Sequence, residues 1–317
     1  MAGSDDTDIQ YLGLLAPALI ALIVGLVIHS FIIGVNVTDW WKGRSVTPVD
    51  HIVTSLGISR MCAQFTKAIF IAISLGLRIH DVYASWVISI VYIFFTYVNF
   101  WLTSLLSIVF CLKISNLQTR LFLYLRGMIV HRTVYFIVAA VLLSAFNCVM
   151  PLTTGLPNLN REKIYNSIMA NLSMHRASIN YMYAYTVGAI IPLLFLIISS
   201  VLLFSSLYHH TTKMASNLSI NLETYYSLMK FVSLTFIYNT LYFIGHFVCV
   251  LYYYFYCSHL TWLRIVLDVF PVLHSFYLIY RTPRLRSQMF KVLQYLSDFI
   301  SQSKVTKGIE NMEVVTL

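Results

Sequence analysis

Long apolar runs alternate with short polar breaks along the chain, and the runs are similar in length. They lie at about 11–35, 49–72, 83–112, 131–150, 181–207, 229–254 and 260–280. A helix needs about 20 mostly apolar residues to cross a bilayer, and each run is long enough. The first contains no Asp, Glu, Lys or Arg, and none occurs from Val82 to Leu112. Arg60 and Lys67 interrupt the second run, and Asp268 interrupts the seventh. The pattern predicts an all-α membrane protein, a seven-transmembrane-helix bundle. No internal repeat is visible, which weighs against an inverted-repeat transporter.

Local chemistry marks several helix ends. In Thr47-Pro48-Val49-Asp50, Thr47 suits a cap, Pro48 the first helical position, and Asp50 the positive end of the helix dipole. Pro192 and Pro271 are expected to kink the fifth and seventh helices. After Pro283, Leu285, Met289, Val292, Leu293 and Leu296 recur at helical spacing with Arg284, Arg286 and Lys291 between them. This predicts a short amphipathic helix over about 284–298, lying on the membrane surface. The polar stretch 301–317 is expected to be unstructured. The chain thus divides into an outer N-terminus (1–10), a membrane domain (11–281) and an inner tail (282–317).

Composition excludes most other classes. Apolar residues make up 59% of the chain and charged ones 10%, against about 25% charged in soluble domains. So few charges cannot cover a water-soluble surface. The net charge of +9 would otherwise suggest nucleic acid, but the basic residues cluster between the apolar runs. Placing the N-terminus outside puts 14 of the 21 Lys and Arg residues on the inner side and 5 on the outer, with 2 inside the second span. The positive-inside rule therefore predicts an outer N-terminus and an inner C-terminus at the plasma membrane. Asp5, Asp6 and Asp8 precede the first run where a signal peptide would be basic. Cys62, Cys111, Cys148, Cys249 and Cys257 show no C-x-x-C spacing, so buried free thiols are expected rather than a disulfide framework.

Several short motifs then recur in a recognisable order. Phe31-Ile32-Ile33-Gly34-Val35-Asn36 is followed by Asp39-Trp40, and Asp50-His51-Ile52 by Leu56-Gly57-Ile58-Ser59-Arg60. The third run carries Trp101-Leu102-Thr103-Ser104-Leu105-Leu106-Ser107 and Leu112-Lys113-Ile114. The fifth ends with Ser206-Leu207, His210 and Met214, and the seventh carries His274-Ser275-Phe276 with Leu278-Ile279. Together these resemble the bitter taste receptor (type 2) family of G-protein-coupled receptors. The chain departs from the family pattern at His29, Phe110, Asn239 and Thr282, as a divergent member would.

The resemblance implies a chemoreceptor that binds small, largely apolar bitter compounds in the outer half, between helices 3, 5, 6 and 7. Tyr92 and Thr96 on helix 3, Tyr181 and Tyr185 on helix 5, Tyr238 and Tyr242 on helix 6, and Arg264 and Asp268 on helix 7 are the candidate ligand contacts. A Tyr ring binds an apolar molecule and offers one polar handle, although membrane-interface packing is the plain alternative for any single Tyr. Phe110, Lys113, His210, Lys213, Met214 and Lys230 are the candidate contacts for a heterotrimeric G protein of the gustducin or inhibitory class. Membrane lipids, sterol among them, are the other expected partners. Asn171-Leu172-Ser173 is a glycosylation acceptor in the second outer loop, where the family commonly carries one. A vomeronasal type 1 receptor and a small transporter are the alternatives.

Arg60 at mid-membrane must face inward, because the centre of a bilayer disfavours Arg by about 2.5–3.5 kcal/mol. Backbone carbonyls, Asn36 and Ser275 are its expected partners, and with His274 and Ser275 it forms a candidate activation hub. A purely structural anchor remains the alternative. Arg264 and Asp268 lie four apart and are expected to pair. His209-His210 lacks an H-E-x-x-H context and no G-x-S-x-G occurs, so neither an enzyme nor a cofactor is expected.

Overall fold

The structure, a computed structural model, describes residues 3–76, 82–115, 119–161, 183–215, 222–256 and 260–315. The described residues are helical apart from short connections. The elements are α1 (Gly3–Trp41), α2 (Pro48–Gly76), α3 (Val82–Ile114), α4 (Arg120–Arg161), a π-helical turn (Thr186–Ile190) leading into α5 (Ile191–Ala215), α6 (Leu222–Tyr256), α7 (Thr261–Arg281) and α8 (Pro283–Val315). Six of these contain a stretch long and apolar enough to cross a membrane. The α2 helix is not among them, because Asp50, Arg60 and Lys67 make it the most polar candidate. The chain divides into two compact units, Met1–His274 and Ser275–Leu317.

In the first unit, α3 packs against α2, α4 and α5, while α1 flanks α2 and α6 flanks α5. Phe100 of α3 anchors an aromatic core: it stacks on Phe243 at 4.1 Å and meets the Tyr185 ring edge-on at 6.4 Å. Leu196, Ala189, Cys148 and Val250 complete this buried cluster. The opposite helix faces are apolar and exposed, among them Ile20, Ile23 and Val27 on α1, Leu142 and Phe146 on α4, and Ile198 and Val201 on α5. Such continuous apolar faces require lipid or another apolar partner.

The helix ends follow their local chemistry. Thr47 N–H donates to Asp50 Oδ2 at 2.9 Å, and Asp50 N–H donates back to Thr47 Oγ1 at 3.3 Å, a reciprocal cap at the start of α2. The α1 helix ends in a Schellman turn: Gly43 has φ 70°, its N–H donates to the Trp40 carbonyl, and Arg44 N–H donates to that of Asp39. At Pro192 the missing N–H and the ring disturb the helix, and the chain responds with the π turn Thr186–Ile190. Ser104 Oγ donates to the Pro192 carbonyl at 2.6 Å, fastening this turn to α3.

Three expectations change. The fourth helix starts at Arg120 rather than 131, because a preceding helix joins it at Arg132, whose φ −125° and ψ 24° mark the break. The helix after Pro283 continues to Val315 instead of ending near 298. In this second unit the polar residues 301–315 extend the backbone ladder, since Ser, Gln, Lys and Glu leave it intact and no Pro interrupts it. Tyr181, Asn171 and the triplet at Asn217 lie outside the described residues.

Gly188 sits where the π turn meets α3, and a Cβ there would lie 2.9 Å from ring carbons of the buried Tyr97. Gly188→Ala is expected to destabilise the purified protein by about 1–3 kcal/mol, the usual cost of overpacking. Thermal unfolding measures this. Restoration by a smaller side chain at Tyr97 would identify the clash as the cause.

Candidate functional site

Four polar stripes converge inside the first unit, each from helical spacing on one element. On α2, Arg60, Ala63, Gln64 and Lys67 share a face, and on α3 so do Tyr92, Thr96, Asn99 and Thr103. The α7 helix contributes Asp268, Pro271 and His274, and α6 contributes Tyr238, Asn239 and Tyr242. With Ala18 and Leu22 of α1, these helices enclose a cleft holding about 480 Å³ of empty space, lined also by Tyr92, Thr96, Asn99, Tyr242 and Asp268. A second cavity of about 270 Å³ adjoins it and shares Arg60, Asn99, Tyr242 and Pro271 as a common wall.

Charge is concentrated in the larger cleft. Lys67 Nζ forms an ion pair with Asp268 Oδ2, joining α2 to α7, and the two side chains keep 23% and 19% of their exposure. Two turns along α2, Arg60 is buried at 5% exposure. Its Nη1 donates to the Pro271 carbonyl at 3.3 Å and to His274 Nδ1 at 3.1 Å. Asn36 donates to Thr54 Oγ1 at 2.8 Å. Ser59 donates to Asn99 Oδ1 at 3.0 Å, tying α2 to α3. His29 Nδ1 lies 3.3 Å from Gln64 Oε1, tying α1 to α2.

The candidate ligand contacts separate. Tyr92, Thr96, Tyr242 and Asp268 line the larger cleft and Tyr238 the smaller cavity. Thr96 Oγ1 donates to the Tyr92 carbonyl at 2.9 Å, so its proton serves the helix and its oxygen remains an acceptor. Tyr185 is a core residue, donating its hydroxyl to the Phe243 carbonyl at 3.1 Å. Arg264 is exposed. The expected Arg264–Asp268 pair gives way to Lys67–Asp268, because at this site Asp268 faces α2 across the cleft and Arg264 one turn earlier does not. The cleft is thus bounded by α1, α2, α3, α6 and α7, whereas helices 3, 5, 6 and 7 were expected. Arg60 and His274 touch directly, and Ser275, next along α7, is buried.

Toward the other end of α3, Phe110 packs edge-on against Phe231 at 5.9 Å. Lys113 and Lys230 are exposed, and Lys113 lies in the last turn of α3, where a cation complements the helix dipole. His210, Lys213 and Met214 fall on the last turns of α5. Lys67 and Asn99 were missed as site residues. The signal for Lys67 was its position two turns from Arg60; Asn99 had none beyond lying two turns from Tyr92.

Removing either charge of the Lys67–Asp268 pair leaves the other half-buried and uncompensated. Lys67→Met and Asp268→Asn are each expected to lower stability by about 2–3 kcal/mol, somewhat below the cost for a fully buried pair. The Lys67→Met/Asp268→Leu double variant should lose less than the two singles summed. Thermal unfolding of the four proteins tests the coupling, and additive losses would show the pair to be inert.

Comparison with known proteins agrees with this geometry. The family model for taste receptor protein (TAS2R) matches residues 8–297. Taste receptor type 2 member 16 of Rattus norvegicus is 28% identical over 213 residues, 65% of this chain and 70% of that protein. Taste receptor type 2 member 104 of Rattus norvegicus is 26% identical over 302 residues, 89% of this chain and 96% of that protein. The crystal structure of squid rhodopsin superposes with a TM-score of 0.65 at 13% identity, covering 91% of this chain and 87% of that one, a likeness of fold. The chain belongs to the taste receptor (TAS2R) family and is a G-protein-coupled chemoreceptor of the bitter taste kind.

Proposed function

We propose that this receptor spans the plasma membrane seven times with its N-terminus outside. In this reading a small, largely apolar bitter compound enters the cleft between α1, α2, α3, α6 and α7. The observation that carries it is the cleft itself, where the Tyr92 and Tyr242 side chains stand beside the Lys67–Asp268 pair. Aromatic walls remove the apolar body of a ligand from water, and the ion pair supplies the polar groups that orient it. The ligand then competes with contacts that hold α2, α6 and α7 together. A ligand shifts an equilibrium only by its differential affinity for the two states, so these contacts are where binding and rearrangement are linked.

The response passes to a heterotrimeric G protein, gustducin or an inhibitory-class relative, docked against the exposed Lys113 and Lys230 and the end of α5 carrying His210, Lys213 and Met214. Asn171 carries the glycan, and sterol is among the lipids against the outer helix faces. Nothing in this reading calls for a cofactor, and the family is one of receptors rather than enzymes.

Cells expressing the chain with a gustducin-type chimera, challenged with a panel of bitter compounds, test this reading. Tyr92→Ala and Tyr242→Ala are expected to shift responses about 5–30-fold, unequally among unrelated agonists, because one good contact contributes about 1–2 kcal/mol. Shifts equal for every agonist, after normalising to surface receptor, would place these rings in packing alone.

Coupling has its own readout. The Lys113→Ala/His210→Ala double variant should signal weakly at normal surface level, with agonist binding preserved. Undiminished signalling would move the G-protein surface elsewhere.

A further inference from the structure

The smaller cavity has a lining that the agonist reading does not use. Arg60, Asn99, Thr103, Asn239 and His274 face it, with Tyr238, Tyr242, Phe270 and Pro271 completing the wall. No carboxylate is among these residues, although the cavity borders a buried guanidinium. The two acceptors shown for Arg60, the Pro271 carbonyl and His274 Nδ1, are neutral. They satisfy its hydrogen bonds without cancelling its charge.

Donor chemistry dominates the rest of the lining. A guanidinium can only donate, so His274 Nδ1 accepts and the ring proton sits on Nε2. His274 is 3% exposed, and its Nε2 is buried with no hydrogen-bond partner. Asn99 Oδ1 accepts from Ser59, which leaves its amide group as a donor. Asn239 donates one amide proton to the Thr235 carbonyl at 2.8 Å and has a second. Thr103 is buried and adds a hydroxyl. A buried N–H without a partner costs free energy, and a lining of several donors around one positive charge is complementary to negative charge.

From this arrangement we infer that the cavity between Arg60, Asn99, Thr103, Asn239 and His274 is a binding site for a small monovalent anion, chloride being the abundant case. Its 270 Å³ of empty space suits a monatomic ion better than an organic one, and the aromatic side chains of Tyr238 and Phe270, with centroids 6.1 Å apart, close one side. A halide accepts from every donor present and requires none in return. Water would satisfy some donors but would leave the charge uncompensated. Because the lining comes from α2, α3, α6 and α7, a bound anion would fasten these helices together from within. The inference goes beyond the receptor reading and is independent of which agonist binds.

Thermal unfolding of the purified full-length chain in lipid nanodiscs tests it, with sodium chloride replacing sodium gluconate at constant ionic strength and no agonist present. The midpoint is expected to rise with chloride and to saturate, to respond likewise to bromide, and to be indifferent to exchange of sodium for potassium. The chloride increment is read within each variant, so any loss of stability common to both salts cancels. Thr103→Val and Asn239→Leu should each weaken the apparent chloride affinity by about tenfold, the effect of losing one charge-assisted hydrogen bond. Arg60→Gln should abolish the increment if it folds, and the two conservative variants carry the test if it does not. Equal midpoints in chloride and gluconate would overturn the site. So would a rise that grows linearly without saturating, one that follows the cation, or an increment unchanged in Thr103→Val and Asn239→Leu.

Discussion

Arg60 carries a guanidinium into the interior of the helical unit, where neither water nor lipid can solvate it. The polar architecture around it follows from that constraint. A charge in such a setting must be surrounded by oriented dipoles, and these must come from neighbouring helices. The α7 helix supplies two, the Pro271 carbonyl and His274 Nδ1. Pro271 is suited to this because proline frees backbone carbonyls in the preceding turn and bends the helix locally. One side chain thus sets the register of α7 against α2. The Lys67–Asp268 pair, two turns along α2, fixes the same two helices a second time. Two polar ties hold α7 to α2, whereas apolar packing holds α3 to α2, α4 and α5.

This division has a functional consequence. Apolar packing is non-directional and changes little with small displacements, while hydrogen bonds and ion pairs are lost over fractions of an ångström. The core around Phe100, Tyr185 and Phe243 is therefore the rigid part, and the polar seam between α2 and α7 is the part that a ligand can reorganise. The cleft opens on that seam, and so the binding groups and the restraining groups are the same residues. Ligand and helix arrangement then compete for Lys67, Asp268 and Tyr242 directly.

Much of this was legible in the sequence. The helices follow from run length, because a bilayer imposes one dimension on every span. The cap at Thr47–Asp50 was legible because its partners are three residues apart. The inward pointing of Arg60 was legible because no other placement is tolerable. Partners distant in sequence were harder. Asp268 has Arg264 one turn away and Lys67 far off, and local spacing favours the first; only the rotation of α7 about its axis chooses the second. Tyr185 looks like a ligand contact by composition, yet its hydroxyl finds the Phe243 carbonyl across the core, a match no periodicity encodes. The C-terminal helix runs past the point where its apolar stripe fades, because helix continuation needs only compatible backbone preferences.

A density map of the receptor bound to an agonist and a G protein, at a resolution that shows side chains, tests the central claim most directly. The account predicts ligand density between Tyr92, Tyr242 and the Lys67–Asp268 pair, with the α2–α7 ties altered from the arrangement described above. Density confined to the α5 side near Tyr185, with Lys67, Asp268, Arg60 and His274 unchanged, would contradict it.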